Sequence, residues 1–518
     1  MASATLEIIR HNFSRTTFFI FPLAIVFFLA SCGGVTGSLT SFTPPPVTSL
    51  SAADVTSLVQ AAAQAADPNT MVIAVVDRAG RVLGIYRKPA APPLAAGNFS
   101  AQVDTSELAV SLARTGAFFS NDQAPLSSRT VRFISGIHFP PGISNAPNAA
   151  LYGIETTNRG CTLSTNYSAG KDVPPARSIS GATTGLGITT GKADLNDSDS
   201  NAVNPGGVPL FRNGSLVGGI GVSGVAPDVA EYSAYAAATT NGFGPTPAAP
   251  GVVFIGGVAL PFVNQTTRPA GVGAGSFTGS FVAGPAASPG PPPDGTLVTP
   301  VAGPLGGLSV SDVTQIINNA VATANTTRAV IRLPIGSSAR MAIAVSDLDG
   351  TIIGMYRMAD STVFSIDVAA TKARNVVYFS GGSRTAADLT SVPVSTAVTN
   401  RTIGFGAQPF FPPGIDGTAA GPFFNLYQQD AVNPCTQGFQ VAGPNQSGVV
   451  FFPGSVPLYR NGILVGGLGV SGDGVDQDDY VAAGGAAGFE APEAARADQV
   501  IIQGVRLPYL KFPTNPTN

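Results

Sequence analysis

The sequence predicts an α/β protein of the α+β type, built as two repeated domains, each a mainly antiparallel sheet flanked by helices. Three observations predict this. Residues 209–224 and 457–472 are near-copies of one another, lying in opposite halves of a 518-residue chain. Each copy holds a short apolar strand, an Arg-Asn-Gly turn (Arg212-Asn213-Gly214 and Arg460-Asn461-Gly462), a second apolar strand and a glycine-rich exit. Asn-Gly between apolar runs is the strongest short hairpin signal, because both turn residues tolerate positive φ. The third observation is that a helix–hairpin–helix pattern precedes each of these hairpins in the same order.

In the first domain, Ser51 with Asp54 three residues on forms a variant capping box. Val55, Leu58, Val59, Ala62 and Ala63 then recur at helical spacing, which predicts a helix over 52–66. An apolar strand over 71–76, the turn Asp77-Arg78-Ala79-Gly80 and a strand over 82–86 make a second hairpin. A helix over about 105–119 follows, with Leu108, Leu112 and Phe119 facing the core. The second domain repeats the order: a helix over 309–324, a strand over 341–345, the turn Asp347-Leu348-Asp349-Gly350, a strand over 352–357 and a helix over 367–379. Asp77 matches Asp347, Gly80 matches Gly350, Tyr86 matches Tyr356, Arg114 matches Arg374, and Phe119 matches Phe379. These matches set the domains at 49–263 and 308–512. Each carries a long insertion, about 120–207 and 380–455, with shared landmarks: Arg129-Thr130 with Arg401-Thr402, Phe139 to Ile143 with Phe411 to Ile415, and Leu151-Tyr152 with Leu426-Tyr427. Loops of this length inside a domain are usually functional or structured, so both insertions are read as ordered. Residues 264–307, rich in Pro, Gly, Ala and Ser, read as a semi-extended linker.

The N-terminus reads as an export signal. Arg10 and Arg15 precede the apolar run 18–30, which ends in Leu29-Ala30-Ser31-Cys32. The run is too short for a comfortable membrane span. The segment also looks like a bacterial lipobox, with 1–31 as signal peptide, Cys32 as the lipidated residue and 32–48 as a tether. The expected location is the outer membrane, facing the periplasm or the cell surface, with the membrane as a partner through the lipid. Only 11% of residues are charged and the formal net charge is −3, without basic clusters. Nucleic acid is therefore excluded as a partner.

Together, the blocks 71–80 and 218–224, with 341–350 and 466–472 in the second copy, resemble the HbpS/GlcG-like family. The resemblance implies profilin/roadblock-like layering and self-association, here an intrachain pseudo-dimer of the repeats that could form higher oligomers. It also implies haem or another tetrapyrrole as ligand, since some members bind haem. With the signal removed, His138 is the only histidine and so the candidate haem-binding residue; its aligned residue is Phe410. The helices 52–66 and 309–324, in contrast, carry no histidine.

Gly219-x-Gly221-x-x-Gly224 and Gly467-x-Gly469-x-x-Gly472 spell the dinucleotide fingerprint, but they close an Asn-Gly hairpin instead of opening a βαβ unit. They read as close packing of the strand against the last helix. Cys161 and Cys435 hold corresponding places and leave two readings open: a disulfide between the repeats, or two buried thiols. Met71, Met341, Met355 and Met358 read as core. Asp473, Asp476, Asp478 and Asp479 read as acids at a helix start rather than a metal site. No catalytic residues are assigned, and a non-enzymatic role is favoured. The expected function is an exported, lipid-anchored binding protein with tandem domains; the alternative is a structural or protein-interaction lipoprotein without a small ligand.

Overall fold

The computed structural model describes residues 49–161, 185–191, 197, 204–245 and 253–517. The signal, Cys32 and the tether lie outside the described residues, as do parts of the first insertion. No helix among the described residues is long and apolar enough to cross a membrane.

The described residues open with α1 (Ala52–Ala65), capped by Ser51 and Asp54 in a reciprocal capping box; Val55, Leu58, Val59, Ala62 and Ala63 are buried on one face. Strands β1 (Val72–Asp77) and β2 (Val82–Arg87) form the first hairpin, followed by the small ribbon β3 (Leu94–Ala96) and β4 (Gln102–Asp104). Helices α2 (Thr105–Phe119) and α3 (Ser128–Ser135) lead to the second hairpin, β5 (Gly207–Arg212) and β6 (Ser215–Ser223), and then α4 (Pro227–Thr240). Asn213 and Gly214 both have positive φ, as the turn chemistry requires. A ribbon of β7 (Phe254–Ile255) and β8 (Val258–Ala259) completes this half. After β9 (Ser280–Ala283) and β10 (Gly295–Val298), the second half runs through α5 (Val310–Thr326), β11 (Met341–Ser346), β12 (Ile352–Arg357) and α6 (Phe364–Ser380). It continues with α7 (Asn400–Gly406), α8 (Phe424–Val432), β13 (Ser455–Arg460), β14 (Ile463–Gly472), α9 (Val475–Gly485) and the closing ribbon β15 (Ile501–Ile502) and β16 (Val505–Arg506).

Two five-stranded antiparallel sheets result, ordered β5-β6-β1-β2-β9 and β13-β14-β11-β12-β10. The orders correspond strand for strand. The segment 264–307, expected to be a plain linker, supplies the last strand of each: β9 pairs with β2 and β10 with β12. The outer edges of β2 and β12 would otherwise leave backbone groups unpaired. Both added strands are proline-free, and the prolines stand outside them, where no ladder donor is lost.

The paired glycines are a packing joint, but against a different helix from the one expected. A Cβ on Gly219 or Gly221 would lie 2.1 or 2.0 Å from the carbonyl oxygens of Ala113 and Ala109 in α2. Gly467 and Gly469 stand in the same relation to Ala373 and Ala369 of α6. The bare strand lets the middle helix, not the last one, settle onto the sheet. The last helix lies on the opposite face with the first: Val59 and Ala62 of α1 share a core with Ala230, Ala234 and Ala237 of α4.

The two halves share one core. Phe119 stacks on Phe364 with ring centroids 4.2 Å apart. The Val363 amide donates to the Phe118 carbonyl at 3.0 Å. Phe139-Pro140 and Phe411-Pro412, matched in sequence, are both cis.

Candidate functional site

A cavity of about 560 Å³ opens between the halves. The N-terminal half contributes Phe119 at the end of α2, Leu126, Ile134 of α3, Leu151 and the turn of the β7–β8 ribbon. The C-terminal half contributes the stretch 329–335, Phe364 at the start of α6, the exit of β14 and the first turn of α9. The walls are mainly apolar because both sheets turn core faces towards this seam. At the rim, Phe254 and Ile335 remain 46% and 74% exposed.

Asp478 of α9 carries charge to this apolar lining. Its Oδ2 accepts from Lys372 Nζ of α6 at 3.0 Å, and both side chains are buried. Lys372 Nζ also donates to the Val470 carbonyl at 2.8 Å and stands 4.9 Å from the centre of the Phe452 ring. Among the described residues, the buried Asp478 Oδ1 has no hydrogen-bond partner. Burial pushes the Asp478 carboxyl up to about 7 despite the attraction of Lys372, and burial also lowers the Lys372 ammonium. Counting from Arg114 and Arg374, and from Gly224 and Gly472, the N-terminal half has Leu112 and Ala230 at these two places. Both line its own smaller cavity of about 500 Å³.

Arg332 closes one wall. Its guanidinium is paired with Asp473, and Nη1 reaches Asp360 Oδ2 at 2.5 Å and Gln123 Oε1 at 3.1 Å. Asp360 is also paired with Arg78 of the other half. Burial raises the Asp360 carboxyl, but Arg78 and Arg332 together outweigh this and hold it below its ordinary value. This network ties the halves together beside the cavity.

The acids before and within α9 each have a cation. Asp473 meets Arg332, Asp476 meets Arg401 and Lys511, Asp478 meets Lys372, and Asp479 meets Arg401. Arg401 with Asp479 has a counterpart in Arg129, which grips Glu231 at 2.6 and 3.0 Å. Among the described residues, no group of His, Cys, Asp and Glu is placed to hold a metal ion.

His138 stands outside the cavity lining. Its Nε2 donates to Asp416 Oδ1 of the other half at 2.5 Å, and its ring lies 6.5 Å from that of Phe410, the residue aligned with it. Cys161 and Cys435 are joined as a disulfide, with Cα atoms 5.5 Å apart. Met71, Met341, Met355 and Met358 are buried in the core. Sequence reasoning missed Lys372, Arg332 and the cavity. The available signal was a lysine on an otherwise small and apolar helix face, at a place where the N-terminal half has Leu112.

Residues 308–487 match the family model described as "Haem degrading protein HbpS-like". The chain is similar to three solved structures. One is a PduOC:heme complex, at 24% identity over 36% of this chain and 96% of that one, with a TM-score of 0.24. The second is Klebsiella pneumoniae protein ORFY, at 20% identity over 35% and 90%, with a TM-score of 0.23. The third is a double mutant of Streptomyces reticuli HbpS, at 19% identity over 35% and 85%, with a TM-score of 0.20. No curated protein matches the chain.

Proposed function

We propose that the chain is an exported, lipid-anchored, non-catalytic binding protein. In this reading two HbpS/GlcG-like domains pack as an intrachain pseudo-dimer and hold a tetrapyrrole in the cavity between them. The observation that carries it is the cavity itself, walled by apolar residues of both halves. Its volume of about 560 Å³ lies within the usual range for small-molecule and cofactor sites. The family description of residues 308–487 supplies the ligand class. The lipobox-like segment ending at Cys32 supports the anchor.

Haem fits this site in part. The apolar walls suit a macrocycle, but among the described lining residues none is His, Cys, Met or Tyr, and His138 is engaged by Asp416 outside the cavity. The described lining therefore offers no imidazole, sulfur or phenolate axial ligand to iron. Fusing two copies raises the effective concentration of each for the other, so an interface that would need two chains can form within one.

The test is titration of the full chain with haemin and, separately, protoporphyrin IX, following the Soret band. A saturable change that persists in His138→Ala is the expected result. No saturable change with either compound would remove the tetrapyrrole reading.

A further inference from the structure

We propose that the C-terminal half carries a second binding site, away from the seam, for a neutral saccharide. A cleft of about 790 Å³ lies between the end of α6 and a loop of the second insertion, residues 437–446. Counting back one place from the matched Phe119 and Phe379, Phe118 corresponds to Tyr378. In the N-terminal half the Phe118 ring covers the first hairpin turn, and a Cβ on Gly80 would lie 2.5 Å from it. At the matched Gly350 the nearest groups are Asn445 and Arg374 instead. The Tyr378 hydroxyl donates to Asp388 Oδ2 at 2.7 Å, so this side chain is tied to the wall of the cleft.

The cleft is braced from within. Buried Asp388 also accepts from the Phe439 amide at 2.8 Å, which holds the loop to the same carboxylate. Gln437 Nε2 donates to the Arg374 carbonyl at 2.9 Å, Gln446 Nε2 to the Val441 carbonyl at 2.7 Å, and Asn445 Nδ2 to Thr351 Oγ1 at 2.9 Å. Such bracing lowers the ordering cost of binding. Gln440 is the exception: it lines the cleft half-buried, and among the described residues its side chain makes no hydrogen bond. A spare amide can both donate and accept, as the hydroxyls of a sugar do.

The rest of the lining narrows the class. Val441 and Ile463 are 88% and 69% exposed, and offer apolar surface to the C–H face of a sugar ring. The one cation among the described lining residues, Arg374, is buried and donates to the Gly350 carbonyl and Ser447 Oγ. The Asp349 carboxylate beside it is exposed. A carboxylate or phosphate ligand would meet a like charge without a free counter-charge, so the cleft discriminates against anions. An extended peptide would favour an open sheet edge over this space between helix, loop and hairpin.

The experiment applies the full chain to an array of neutral and acidic saccharides and, under the same conditions, to a peptide array. Binding to neutral saccharides is expected. Gln440→Ala should weaken it about tenfold, and Tyr378→Phe, which copies the N-terminal half and releases the ring from Asp388, should do the same. Gln440 supports no other side chain, so Gln440→Ala should melt with the unmodified chain. Preference for acidic saccharides, binding of peptides in place of saccharides, or binding of neither would overturn the proposal. Saccharide binding unmoved by both substitutions would also overturn it.

Discussion

Tyr152 stacks on Tyr427 with ring centroids 5.0 Å apart, and the two residues hold matching places in the two halves of the sequence. A residue facing its own counterpart is what a contact about a two-fold axis produces. Glu155 and Asp430 follow the two tyrosines at the same spacing and are likewise buried, and the bridge between Cys161 and Cys435 lies a few residues beyond them.

The bridge gives the first prediction. Denatured, unreduced protein whose Cys32 carries lipid should show no titratable thiol, and reduction should lower stability by about 2–4 kcal/mol. Two reactive thiols before reduction would refute the bridge.

Arg332 gives the second. Its removal leaves Asp473 buried and takes one of the two cations from Asp360. Arg332→Met should cost about 3–5 kcal/mol in urea unfolding. Arg332→Lys should recover little of this, because an ammonium cannot span Asp473, Asp360 and Gln123 as the guanidinium does. Full rescue by lysine would contradict the assigned geometry.

The third concerns pH. Burial raises the Asp478 carboxyl to about 7 and the Asp367 carboxyl to about 6, from 3.8. Between those values the folded chain keeps protons that the unfolded chain has released. These two groups therefore make stability fall as pH rises from about 4 to 7, with the full penalty above that. Asp367→Asn can still accept from the Asn158 amide, which Asp367 Oδ2 binds at 2.8 Å. Melting temperatures should show a shallower decline over this window for Asp367→Asn, and likewise for Lys372→Leu/Asp478→Ala. An unchanged slope in both would refute the assignment.

Much of the fold is legible in the sequence because periodicity and turn chemistry act locally. The capping pair Ser51 and Asp54, the helix over Thr105–Phe119 and the positive φ of Asn213 and Asn461 follow from neighbouring residues alone. What was not legible depends on tertiary partners. The edge strand at Ser280–Ala283 exists because β2 has an open edge, and its composition resembles a linker. The glycines announced a close approach but not which helix would make it. Lys372 and Asp478 are far apart in sequence, and only the fold brings them together at the cavity.

The lipid anchor is the fourth prediction. The intact mass of the exported chain should correspond to a start at Cys32 carrying diacylglycerol and acyl chains. Cys32→Ser should leave the protein unlipidated and free of the membrane. An unmodified mature Cys32 would refute the anchor.

The ligand is proposed to sit in the seam between the halves, where a reporter can be placed. The chain contains no tryptophan, and Ile335 stands 74% exposed at the rim, so Ile335→Trp places a single fluorophore there. Protoporphyrin IX should quench this tryptophan saturably, and adding Ala329→Phe to narrow the cavity should abolish the quenching. Quenching that never saturates, or saturable quenching indifferent to Ala329→Phe, would contradict that placement.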